Sequence, residues 1–305
     1  MADLLERLRG PLGDRSGVPV NPTWFIRLDP DIERCFGRRD FIVHRNRDHI
    51  DRLLAHGDLV GIHTHFYRWD EQRHISYTDV ADDAWAIECL DVSAQTFEQC
   101  FGEPVRRSSQ GGYFLSDQIV ERSIALGIKV DVTVEPGLAA KVGDPSFGNY
   151  ATAASPSFVG FPRRPYYPSR ASLCTPARST DDARRMLIVP LTSYDYKTAL
   201  LPWHSRVKKR LRGESGSPLP LNPWKMWPDP HTYWDLVARA ADEGPARYVA
   251  FAVRTDGPHS EPHRRVRSLL EYLPQHPISK RLCFVDPLAS TIRSLAEEEM
   301  SVQRG

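Results

Sequence analysis

The sequence has no C-x-x-C pair, no run of eighteen apolar residues, and no excess of charge of either sign. Its five cysteines, Cys35, Cys89, Cys100, Cys174 and Cys283, are scattered and odd in number, so neither a zinc ribbon nor a disulfide framework is expected. Reduced, mostly buried thiols are the expectation. Forty Lys plus Arg against thirty-nine Asp plus Glu give a formal charge of +1, which supplies no field to recruit nucleic acid or an anionic membrane. The opening MADLLERLRGPLGDRSG mixes acids and bases and lacks the apolar core of a secretory signal, so a cytoplasmic location is expected, with no transmembrane segment. No internal repeat is visible.

What is present is the mixture of a folding chain. Of its 305 residues, 41% are apolar and 26% charged, enough apolar surface to bury a core. Seven short apolar runs punctuate the sequence: TWFIRL (23–28), DLVGIHTHF (58–66), VRRS (105–108), IKVDVTV (128–134), MLIVPL (186–191), RYVAFAV (247–253) and LCFV (282–285). Helix-patterned stretches lie between them. One is SDQIVERSIAL, with Ser116 as N-cap and Gly127 past its last turn, and another runs from Thr78 to Phe101 and closes at Gly102. Two more are HTYWDLVARAADEG and the segment after Pro262. Strand and helix in alternation predict parallel βαβ units, an α/β barrel or strongly curled sheet with helices outside, in one domain spanning 1–305.

Two stretches break the rhythm, about 135–185 and 193–229. The first is rich in Pro, Ser, Tyr and Arg (SPSFVGFPRRPYYPSRAS) and reads as a substrate-binding lid or a solvated loop. The second holds RVKKRLR, five basic residues within the seven positions 206–212, which reads as a peripheral contact for an anionic headgroup or as a solvated helix face.

The residues that carry chemistry cluster at predicted strand ends. His63 and His65, two apart at the end of one strand, present imidazoles to one side. The preceding strand ends at Asp29. Two imidazoles and a carboxylate are a common divalent-metal set, and in α/β barrels reacting groups sit at the C-terminal ends of strands. An H-x-H alone is also compatible with hydrogen-bonded surface histidines.

The order of these pieces resembles the NodB-homology polysaccharide deacetylases, over roughly residues 20–260. TWFIRLDPD stands where that family has its acidic motif, AHGDLVGIHTHFYRW resembles its histidine motif, and RRSSQGGYFLSDQIVERSIALGIKVDVTV follows its arginine strand, glycine pair and helix. PLTSYD and YVAFAVRTD resemble its later strands. The resemblance implies a distorted or incomplete seven-stranded barrel that binds zinc, cobalt or nickel through Asp29 and His63, with His65 as further ligand. It also implies that Arg107 orients an acidic group, with Asp131 as its partner. The activity implied is metal-assisted removal of an N-acyl group from an amino sugar or related amide, a small-molecule or glycan substrate, in glycan or natural-product biosynthesis.

Three positions depart from the family pattern. Leu28 and Pro30 flank Asp29, leaving Asp31 as the near substitute for an adjacent aspartate. Tyr67 stands where the second histidine is usual. Arg254 takes the place of the general acid; an arginine cannot donate a proton at working pH but can stabilise an oxyanion. His204 and His259 are candidates for that acid. Trp224, Trp227 and Trp234, in NPWKMWPDPHTYW, offer a stacking platform for a sugar ring, or simply packing, and Tyr67 is a further substrate-binding candidate. The alternative to an enzyme is an inactive deacetylase-like protein that binds a glycan or a biosynthetic partner.

Overall fold

The structure, a computed structural model, describes residues 2–79, 81–140, 150–151, 156–199, 204, 218–223, 229–243, 248–253 and 260–303. They fall into two compact units. A sheet unit comprises Asn21–Val134, Ala139–Pro190 and Asp286–Gly305, and a helical unit comprises Met1–Val20, Glu135–Leu138 and Leu191–Val285.

The sheet unit is built on five parallel strands in the order β1 (Thr23–Ile26), β2 (Leu59–Ile62), β5 (Arg107–Ser108), β6 (Val130–Asp131) and β8 (Leu187–Ile188). Parallel neighbours need long crossovers. Those between β1 and β2 are α2 (Pro30–Phe36), α3 (Phe41–Arg45) and α4 (Arg47–Ala55); α5 (Asp83–Phe101) precedes β5, and α6 (Asp117–Ala125) joins β5 to β6. The ends of α5 and α6 are set by side-chain chemistry. Asp82 accepts the Trp85 N–H and Ser116 the Ile119 N–H, while Gly102 closes α5 in the left-handed conformation at φ 73°. The strands are short, but the ladder runs past them: His63 N–H donates to Ile26 O at 2.9 Å, Ser109 N–H to Ile62 O at 3.0 Å, and Val132 N–H to Ser108 O at 3.0 Å. Register therefore aligns Ile26, Ile62, Ser108, Asp131 and Ile188 in one row across the sheet. Residues beyond that row in each strand emerge at one edge.

The expected elements at 23–28, 58–66, 105–108, 128–134 and 186–191 all hold strands of this sheet, within narrower bounds. The described residues of the other two expected strands are not in strands. Residues 248–253 and 282–285 carry no ladder; Ala250 exchanges two hydrogen bonds with Thr192, and Val249, Phe251, Val253, Leu282 and Phe284 pack against the core of the helical unit. Their apolar character serves burial rather than pairing. Among the described residues the sheet is thus five-stranded and parallel, an α/β arrangement compatible with a barrel-like fold, and those residues form no closed barrel. The expected helix from Thr78 begins instead at Asp83. Before it stands a hairpin of β3 (Tyr67–Asp70) and β4 (Ile75–Thr78), to which β7 (Tyr150–Ala151) adds in parallel. The C-terminal α10 (Ser290–Val302) completes the unit, burying Ile292, Ala296 and Met300.

In the helical unit, α1 (Ala2–Ser16) buries Leu4, Leu8 and Leu12, spaced four apart along one face. They join Trp234 and Val237 of α8 (Pro230–Glu243) and Val266 and Leu270 of α9 (Glu261–Tyr272) in one core. Between α1 and these helices come α7 (Tyr196–Ala199) and an antiparallel pair, β9 (Ser193–Tyr194) and β10 (Leu219–Pro220). The five cysteines are unbridged in the structure, and burial is expected of most of them but found fully for Cys89 alone; Cys35, Cys174 and Cys283 are exposed. Apolar burial and thiol burial need not coincide in elements whose apolar face lies elsewhere.

Candidate functional site

The edge at which β1 and β2 end gathers two carboxylates, two histidines and two arginines. Asp29, just past β1, is fully buried. Although it is the N-cap residue of α2, its side chain does not cap the helix. Its oxygens instead accept from the Arg27 guanidinium, at 3.0 Å from Nε and 2.8 Å from Nη2, and from the His65 backbone N–H at 3.2 Å. Asp31, in the first turn of α2, accepts from Arg27 Nη2 at 3.1 Å and from Arg34 at 3.0 and 2.7 Å. Burial alone would weaken the charge of Arg27; the hydrogen bond and charge of Asp29, then those of Asp31, outweigh it and hold the guanidinium protonated. Two buried carboxylates thus face two guanidiniums, the arrangement a buried charge requires.

Tyr67 and Trp69 alternate along β3, so both rings lie on the same side of the hairpin. Arg27 lies 5.6 Å from the Tyr67 centroid and Arg34 4.4 Å from that of Trp69. Tyr67 also stacks on the His65 ring at 4.8 Å and 13°.

The two imidazoles meet at Nε2, 3.1 Å apart. The Nδ1 of His63 lies 2.7 Å from the Ser109 carbonyl oxygen; since a carbonyl only accepts, Nδ1 carries a proton, and in the neutral ring the Nε2 lone pair points at His65. That contact fixes tautomer and ring direction in the manner of a metal-bound histidine. Gly111 leaves room for the His65 ring: a Cβ there would come within 2.4 Å of Cγ and Cδ2.

Tested against a divalent cation, the site fits in part. For bonds of about 2.0–2.1 Å to nitrogen, tetrahedral ligands stand about 3.3 Å apart, close to the spacing of the two Nε2 atoms. A shared proton, donated from His65 to His63, satisfies the same geometry. Asp29 does not fit as it stands, because Arg27 bridges both its oxygens and the His65 N–H takes a second site on Oδ2. Among the described residues, the group of three whose ligand atoms all lie within 4.8 Å of one another is a different one, His231, Asp235 and His276, in the helical unit.

Behind the strand ends, Asp131 is fully buried and accepts from Ser108 Oγ at 2.7 Å and Thr133 N–H at 2.8 Å. Burial pushes its carboxyl above the ordinary range, and the hydrogen bonds from Ser108 and Thr133 pull it part of the way back. Arg107 is not its partner, contrary to the expectation. Ser108 is the residue in register with Asp131, and adjacent residues of a strand point to opposite faces, so Arg107 faces away. It pairs instead with Asp286, through Nε to Oδ1 at 3.0 Å and through Nη2.

Trp234 packs rather than presenting a platform: it is 1% exposed and donates Nε1–H to Leu269 O. His204 is exposed. Arg254, His259, Trp224, Trp227 and the basic stretch 206–212 lie outside the described residues. Reasoning from sequence did not single out Arg27, Arg34 or Ser108. A signal existed for Arg27, two residues before Asp29 on an extended segment and so on the same side as its carboxylate.

No family model and no curated protein matches this sequence. Among solved structures, the fold is similar to that of a "putative glycoside hydrolase/deacetylase" of Parabacteroides distasonis, at 14% identity and a TM-score of 0.56. The match covers 92% of this chain and 60% of the other, so this chain spans about 60% of that protein's length. The likeness is one of fold.

Proposed function

We propose that this chain is a hydrolase of the deacetylase-like kind, removing an N-acyl group, acetyl in the simplest case, from an amino sugar or related amide. The observation that carries the reading is the facing imidazole pair at the strand ends, with His63 held by Ser109 in the tautomer that leaves Nε2 unprotonated. In this reading His63 and His65 hold a divalent cation, zinc first and cobalt or nickel next, with Asp29 as third ligand once Arg27 has released it. When bound, such a cation supplies Lewis acidity to an acyl carbonyl and a lowered pKa to water.

The chain's own residues do the rest. Asp31 serves as the second carboxylate and proton acceptor, and Arg27, swung from Asp29, remains on Asp31 to keep that carboxylate oriented. Tyr67 offers a ring face to a sugar, as Trp224 and Trp227 do in this proposal, and Arg254 donates to developing negative charge. Arg107 and Asp131 act as supports behind the strand ends rather than on substrate. The substrate is a small molecule or glycan, and no helix among the described residues is long and apolar enough to cross a membrane.

One observation favours a second reading, an inactive relative that binds a glycan or biosynthetic partner: the two-point grip of Arg27 on Asp29. Metal content separates the two. Protein purified without chelator, measured by mass spectrometry beside His63→Ala and Asp29→Ala, is expected to lose one equivalent of metal in both variants, and the wild type to release acetate from N-acetyl sugars. Unchanged metal content in both variants, with no acetate released, would put the binding reading in front.

A further inference from the structure

In the helical unit, three side chains from two elements converge outside the proposed site. His231 and Asp235 lie one turn apart on α8, and His276 sits in the turn after α9. His231 Nδ1 stands 3.1 Å from Asp235 Oδ2, and His276 Nε2 stands 3.2 Å from Asp235 Oδ1. Each spacing is close to the edge, about 3.3 Å, of a tetrahedron with metal–nitrogen bonds of about 2.0–2.1 Å; the two run to different oxygens of Asp235, and one ligand atom from each residue lies within 4.8 Å of the others.

The frame is rigid. Tyr233 and Trp234, next to the ligands on α8, are buried, as are Leu273 and Ile278 on either side of His276. Trp234 Nε1–H ties α8 to Leu269 O at 2.8 Å. Exposure is graded across the cluster: His276 is 4% exposed, whereas Asp235 is 49% and His231 61% exposed. A buried anchor with two ligands at the surface leaves positions open to water on one side.

We infer that His231, Asp235 and His276 form a second cation site, selective for borderline transition ions such as Zn²⁺ and Co²⁺. Two imidazole nitrogens and one carboxylate oxygen suit these ions; Mg²⁺ and Ca²⁺ require more oxygen donors. Without a cation the proton positions are set by Ile278. Its N–H donates to His276 Nδ1 at 3.3 Å, so Nε2–H donates to Asp235, and the carboxylate accepts from the histidines on both sides. Cation binding at Nε2 moves the His276 proton to Nδ1, where it meets the Ile278 N–H, so that hydrogen bond is lost and the ring turns away from the donor.

The test uses the full chain carrying His63→Ala and His65→Ala, which silences the strand-end histidines, so that the result does not depend on the function proposed above. Calorimetric titration of the chelator-stripped protein with Zn²⁺, and with Co²⁺ followed by visible absorption, is expected to show one ion per chain. Adding His231→Ala or Asp235→Asn is expected to weaken binding at least about tenfold; both side chains are substantially exposed, and circular dichroism verifies the fold. No binding in the parent, or affinities unchanged by both added substitutions, would overturn the site and leave a hydrogen-bonded His–Asp–His cluster.

Discussion

At the scale of single residues, the balance of charge decides what each side chain is able to do. Asp131 accepts two hydrogen bonds in complete burial, and burial dominates, so its folded carboxyl titrates above its ordinary value. The native state then keeps a proton over a range where the unfolded chain has lost it, and stability falls as pH rises through that range. Asp131→Asn, which cannot ionise, is expected to flatten this dependence. Denaturant unfolding between about pH 4 and pH 8 should show the variant gaining on the wild type as pH rises; parallel curves would mean that Ser108 and Thr133 fully offset the burial. Arg27 presents the reverse case, a charge held by two carboxylates against the cost of burial.

At the scale of elements, the loop after β5 matters because it shapes the strand-end site. Its Gly111 N–H donates to Thr64 O at 2.7 Å, and its missing Cβ makes way for the His65 ring. Gly112 and Tyr113 come next at φ 66° and 59°, a left-handed pair that fixes the path of the loop. Gly111→Ala is expected to push His65 off His63, to cost about 1–3 kcal/mol by overpacking, and to weaken cation binding at the strand ends. Thermal unfolding and the histidine ring signals in NMR read the two effects separately. The turn's need for small residues is visible in Gly111-Gly112 as sequence; that the ring it admits belongs to His65, far earlier in the chain, is not. The five parallel strands were similarly legible from apolar runs between helix caps, whereas 248–253 and 282–285 share that composition without pairing, because an apolar run records burial and not its partner.

At the scale of the whole chain, sequence-distant contacts complete the sheet unit. Asp286 reaches Arg107 across 179 residues, and α10 then buries its apolar face in the same unit. With only 14% of the Arg107 side chain exposed, Asp286→Ala leaves a poorly solvated guanidinium and is expected to cost about 1.5–3 kcal/mol, read as a lower midpoint in thermal unfolding. Local sequence was enough to set the alternation of strands and helices, the cap at Ser116, and the location of Asp29, His63 and His65 at strand ends, since these depend on periodicity within a few residues. It took the folded chain to settle that Arg27 holds Asp29, that Arg107 turns to Asp286, and that His276 joins His231 and Asp235. Each of those depends on which faces meet after the chain has folded, a matter of register and packing that local pattern does not encode.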